Sequence, residues 1–286
     1  MRRRSAERRI RGVDYHINEW GDAGSPLLVL LHGWGDTGSS YQFLVDELES
    51  QWFVVAPDWR GFGESRCRAE AYWFPDYLAD LDEMLAIYSP RDAVRLVGHS
   101  MGANIAGLYA GIFPERVAAF VNVEGFGLEE SDPRNAPDHY RRWIERSRDE
   151  QAYASYQDFA ELARRILKRN PRMSAEKALF VAGLWGEQLA DGSVVLRADP
   201  AHRLPNAVQY RRAEAHACWE KISAPVLVVK GAESDFYARA KQHAGPQEIE
   251  VFDAAESVEI DAAGHMLHFE QPAALAEAIE GFLKRV

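Results

Sequence analysis

The chain has 286 residues, 47% of them hydrophobic and 27% charged, and a formal net charge of -11. That size and mix specify one large or two modest globular domains, and the acidity disfavours wrapping nucleic acid or docking on an anionic membrane. Two cysteines, Cys67 and Cys218, cannot build a disulfide framework in a chain of this length, so reduced thiols in a cytoplasmic protein are expected.

In chain order, Arg2, Arg3, Arg4, Arg8, Arg9 and Arg11 come first. No apolar run follows them, so no export signal is expected. The segment reads as a solvated, partly disordered lead into a first strand, VDYHINEW. Short apolar runs then mark strands at Pro26 to Leu31, Trp52 to Ala56, Val94 to Val97, Ala118 to Val123, Pro225 to Lys230 and Ser257 to Ile260. Continuous β-branched runs of this length suit strands covered on both faces of a parallel sheet. Helical spacing of apolar residues falls between them, at Tyr41 to Leu48, Tyr77 to Ile87, Ala103 to Phe113 and Pro272 to Val286. Alternation of this kind predicts an α/β fold with crossover connections. From Gly125 to Ala224 no convincing strand is legible, and the stretch reads as an insertion of several helices. Two parts are expected: a core of residues 1–125 and 220–286, and a helical cap of residues 126–219.

Gly98-His99-Ser100-Met101-Gly102 fits G-x-S-x-G and lies between the strand VRLV and the helix ANIAGLYAGIF. A sharp strand–helix turn lifts a serine hydroxyl clear of packing and aims a helix N-terminus at it. Ser100 is the expected nucleophile. His32-Gly33-Trp34-Gly35 follows a buried strand and can turn a backbone N–H towards Ser100, so the N–H groups of Trp34 and Met101 are the expected oxyanion donors. Gly264-His265 follows the last strand. A serine hydroxyl needs a neighbouring imidazole to take its proton, and His265 is the expected general base. His268 is read as a packing residue, and with no third ligand evident no metal site is expected. For the acid that orients the imidazole, Asp235 at the carboxyl end of PVLVVKG is preferred, with Glu233 and Glu124 as alternatives.

HGWGD, DWRGFGES, GHSMG and GHMLHFEQP stand in the order of the α/β-hydrolase family, which the chain resembles over about residues 10–125 and 220–286. Within that family it is similar to the serine-hydrolase-like group. The resemblance implies a mostly parallel central sheet flanked by helices, with the insertion as a helical cap. It implies a serine hydrolase working through an acyl-enzyme with no metal or organic cofactor, and the aromatic side chains of the insertion suggest a small or medium hydrophobic ester. Trp34, Phe126 and Trp143 are expected to line the pocket. Alternatives are another cofactor-free reaction on the same fold (carbon–carbon or lactone hydrolysis, perhydrolysis, a lyase step), or an idle ligand-binding scaffold. A small-molecule ester is the expected partner, with no nucleic acid or membrane, in a monomer or homodimer.

Overall fold

The computed structural model describes residues 1–243 and 255–286. Among them, eight strands form one sheet, in the order β1 (Arg4–Ile10), β2 (Val13–Trp20), β4 (Phe53–Pro57), β3 (Leu27–Leu31), β5 (Val94–His99), β6 (Val117–Val123), β9 (Val226–Gly231) and β10 (Glu256–Ile260). β1, β2 and β4 pair antiparallel, and all later neighbours pair parallel. The two-sided apolar runs explain this. Leu28, Leu30 and Val54 face one layer of core with α1 (Gln42–Glu47) and the C-terminal helix, while Val29, Leu31 and Val55 face the other with α2 (Phe74–Tyr88) and α3 (Met101–Ile112).

The N-terminal segment departs from its expected disorder. Arg4 to Ile10 pairs in register with β2, Arg4 opposite Glu19 and Ile10 opposite Val13. Its alternating charges leave most of its side chains outside, and such an edge resists pairing with another chain.

The insertion follows β6. It holds α4 (Ala136–Ser147), α5 (Phe159–Arg169), α6 (Ala175–Trp185) and α7 (Arg212–Trp219), in keeping with the several helices expected there. It also holds a short antiparallel pair, β7 (Gly186–Gln188) with β8 (Val194–Leu196), which the sequence reading missed because three-residue strands show no period. Leu162, Ile166, Val181 and Val194 form an apolar cluster there, closed from the core side by Phe269. His202 ties the segment between β6 and β9 to the chain before it. Its ring stacks between Phe62 (3.8 Å) and Tyr72 (3.6 Å), both outside the insertion. Two helices complete the chain around the site, α8 (Asp235–His243) and α9 (Leu267–Glu270), before the C-terminal α10 (Pro272–Leu283). No described helix is long and apolar enough to cross a membrane.

Candidate active site

The strand ends of the parallel sheet converge on Ser100. β5 runs to His99, and α3 starts at Met101, so Ser100 alone makes the turn, at φ 51° and ψ -115°. That left-handed backbone is costly for a residue with a side chain and persists only where its surroundings impose it. The flanking glycines are the reason it can exist. A Cβ on Gly98 would lie 2.4 Å from the Ala103 backbone, and one on Gly102 would lie 2.1 Å from the Leu31 oxygen. The Ser100 N–H donates to the Val123 carbonyl at 2.8 Å, which fixes the turn against β6.

His265 Nε2 lies 3.0 Å from Ser100 Oγ. Its Nδ1 lies 3.2 Å from Glu124 Oε2. Hydrogen-bond reach on both ring nitrogens sets the tautomer: Nδ1 carries the proton towards the carboxylate, and Nε2 is left to accept from the hydroxyl. The imidazole's partner is therefore Glu124, which corrects the expectation for Asp235. Asp235 opens α8 with an exposed side chain. Its neighbour Ser234 faces inward instead and donates to Glu124 Oε2 at 2.5 Å. Glu233 points away too, in an ion pair with Arg172 of the insertion. Glu124 sits one residue beyond β6 with φ 58°, fully buried, and its Oε1 accepts the Gly231 N–H at 2.9 Å. A buried carboxylate is tolerable when hydrogen bonds meet its oxygens in this way.

Around this line sit further buried polar residues. His99, between strand and nucleophile, is buried, and its Nε2 lies 2.7 Å from the His265 carbonyl oxygen. Burial pushes its pKa well below the ordinary imidazole value, helped by His268 and His265 beside it. The ring is thus neutral, with its proton on Nε2 donating to that carbonyl. The remaining Nδ1 is buried without a partner among the described residues. His268 does not share a ligand site with His265: its Nε2 faces Asp36 Oδ2 at 3.0 Å. Burial opposes the charge on Asp36, yet donation from His268 holds its pKa below the usual carboxylate value. Ligand atoms of Asp36, His99 and His268 come within 4.8 Å of one another. Ser40 Oγ and the Trp185 indole also donate to that carboxylate, so the cluster reads as a hydrogen-bond network. The signal for Asp36 was available, since HGWGD had been singled out as a motif without a role for its last residue.

Of the remaining expected site residues, Gly33 abuts the nucleophile, since a Cβ there would meet Ser100 Cβ at 3.1 Å. That brings the chain carrying Trp34 to the site. The Trp34 side chain is 54% exposed with its ring edge-on to Phe62 at 6.2 Å, free to border a pocket. Phe126 is buried against Tyr237 at 5.0 Å. Trp143 is half-buried on α4, a helix with no fully buried residue. Phe236 faces the His265 ring at 4.5 Å and joins the site from α8, unforeseen in the sequence.

A parallel sheet with a strained serine at its strand–helix turn, facing a histidine from beyond the last strand, defines a hydrolase scaffold. The alpha/beta hydrolase fold family matches residues 26–272, and the chain belongs to that family. It is similar to serine hydrolase-like protein 2 of Homo sapiens, 26% identical over 93% of this chain and 89% of that one. It is likewise similar to the 3-hydroxybutyrate-oligomer hydrolase of Cupriavidus necator, 29% identical over 94% of this chain and 92% of that one. A thioesterase domain from the curacin biosynthetic pathway superposes with a TM-score of 0.86, covering 98% of this chain and all of its own, at 24% identity. The last likeness concerns the fold. Together the family and these relatives support a hydrolase.

Proposed function

We propose that the chain is a serine esterase that cleaves small to medium hydrophobic carboxylic esters through an acyl-enzyme. The observation that carries this reading is the 3.0 Å approach of Ser100 Oγ to His265 Nε2, with the serine held at φ 51°. Ser100 Oγ attacks the ester carbonyl while His265 Nε2 takes its proton. Glu124 steadies the imidazolium through Nδ1. The carbonyl oxygen gains the negative charge, and the backbone N–H groups of Trp34 and Met101 stabilise it. Collapse expels the alcohol, which leaves with the proton from His265. Water then attacks the acyl-enzyme with His265 again as base, releasing the acid and restoring Ser100.

In this reading residues 126–219 form a cap over a core of residues 1–125 and 220–286, and Trp34, Phe126 and Trp143 border the acyl pocket. Aromatic walls with few polar groups favour an apolar acyl chain. The likeness to the 3-hydroxybutyrate-oligomer hydrolase, nearly end to end on both chains, supports adding hydroxyacyl esters to the substrates tried.

The test is hydrolysis of p-nitrophenyl butyrate by the native protein beside Ser100→Ala, with the 3-hydroxybutyrate dimer as a second substrate. Turnover that falls by at least a thousandfold in the variant is the expected result. Equal rates in the two proteins would dismiss Ser100 as the nucleophile.

A further inference from the structure

Asp36 stands where three parts of the molecule meet. Its backbone N–H donates to the Gly33 carbonyl at 3.3 Å, closing the turn that presents Trp34. Its side chain is buried. Oδ2 accepts from Ser40 Oγ at 3.0 Å and faces His268 Nε2 at 3.0 Å, three residues beyond His265. Oδ1 accepts the indole N–H of Trp185 at 2.8 Å. Trp185 ends α6, so this donor comes from the cap, while Ser40 and His268 belong to the core. Its ring also rests on Phe269 at 6.0 Å, beside His268.

We propose that Trp185 is a positioning residue: its N–H, delivered to Asp36 only when the cap is docked, sets the turn that carries the oxyanion donor and, through His268, the loop of His265. The inference rests on the esterase reading above. The physical basis is the cost of a buried carboxylate that loses a charge-assisted donor. With the cap lifted, Asp36 must recruit water or turn, and either response moves the Gly33–Asp36 turn. Oxyanion donors act only within a few tenths of an ångström of their place, so a small shift there lowers kcat in both acylation and deacylation. Substrate binding is affected little, since the bond joins protein groups and not substrate.

The experiment is steady-state hydrolysis of p-nitrophenyl butyrate by the native protein, Trp185→Phe, Asp36→Asn and the double variant. Labelling of Ser100 by a fluorophosphonate is followed in parallel. Trp185→Phe keeps the ring contact and deletes the donor. A 10- to 100-fold loss of kcat is expected, with KM within about threefold, and a proportionate slowing of labelling. In the Asp36→Asn background the same change should cost less than about twofold, because the charged acceptor is already gone. Additive losses, a rise in KM with kcat intact, or no change from Trp185→Phe would overturn the inference. A role in packing alone would give the additive pattern. Should Trp185→Phe lose its fold, benzothienylalanine at 185 replaces the N–H by sulfur at nearly the same shape, and the same losses are expected. A native protein that neither labels nor turns over would sink the esterase reading itself, and this inference with it. Normal labelling of the native protein and an equal rate in Trp185→Phe would sink the inference alone.

Discussion

Glu124→Gln separates catalysis from architecture at this site. The glutamine amide can lie in two ways. In one, its oxygen takes the Gly231 N–H that Glu124 Oε1 now accepts at 2.9 Å, and its NH2 faces Ser234 and His265 Nδ1. Nδ1 must then accept, the ring proton moves to Nε2, and Nε2 can no longer take a proton from Ser100. In the other, the oxygen faces Nδ1 and the NH2 confronts the buried Gly231 N–H, which costs about 1–3 kcal/mol for two opposed donors. The imidazolium formed at the transition state also loses a charge-assisted hydrogen bond worth about 1.5–3 kcal/mol. Together they amount to about 2.5–6 kcal/mol, roughly seventyfold to twenty-five-thousandfold in kcat. The assay is p-nitrophenyl butyrate hydrolysis at saturating ester, with a thermal melt to show that the fold persists. Asp235→Asn, at an exposed side chain, should stay within about threefold of native. Collapse of activity in Asp235→Asn with Glu124→Gln near native would refute the reasoning and return the acid to the loop after β9.

Other expected outcomes concern the scaffold. Burial between Phe62 and Tyr72 lowers the His202 pKa from its ordinary 6.5 to about 4. The unfolded chain therefore binds a proton at this residue between pH 6.5 and 4 while the folded chain does not. Its contribution is intact above pH 6.5 and fades by up to about 3 kcal/mol as pH falls to 4. Stability measured by urea denaturation across that window should decline less steeply in His202→Phe, and parallel curves would exclude the stacked imidazole as the cause. Gly102→Ala drives a methyl to 2.1 Å from the Leu31 oxygen, so a loss of more than about 3 kcal/mol, or no folded protein, is expected in the same assay. A midpoint close to native would mean that the turn is looser than described.

The core of the fold was readable because its strands are buried on both faces, as in LLVLL and FVVAP, where apolar content alone marks the element. Ser100 and His265 were readable for a different reason: a strand–turn–helix serine needs small neighbours, and Gly98 and Gly102 advertise them. The carboxylate beside the imidazole was not, because nothing local distinguishes Glu124 from Asp235. Both follow strands that end near the site, and the choice is made by the tertiary contacts of Ser234 and Gly231, remote from Glu124 in sequence. β1 was missed because an arginine-rich edge strand hides its period behind polar residues on both faces. The Asp36–His268–Trp185 contacts join positions 36, 185 and 268, and no window of sequence spans them.

Ser100 and Glu124 follow directly from two strands that are hydrogen-bonded neighbours, with His99 opposite Val123 in register. Their relative placement is thus inherited from a single backbone ladder in the interior of the sheet. The segment after β9 that starts α8 supplies no carboxylate to the imidazole. It contributes Phe236 against the His265 ring and Tyr237 against Phe126. In the esterase reading, changes at position 237, whose ring lies against Phe126, should retune which acyl groups are accepted, whereas changes at position 236, packed on the His265 ring, should alter the rate as well.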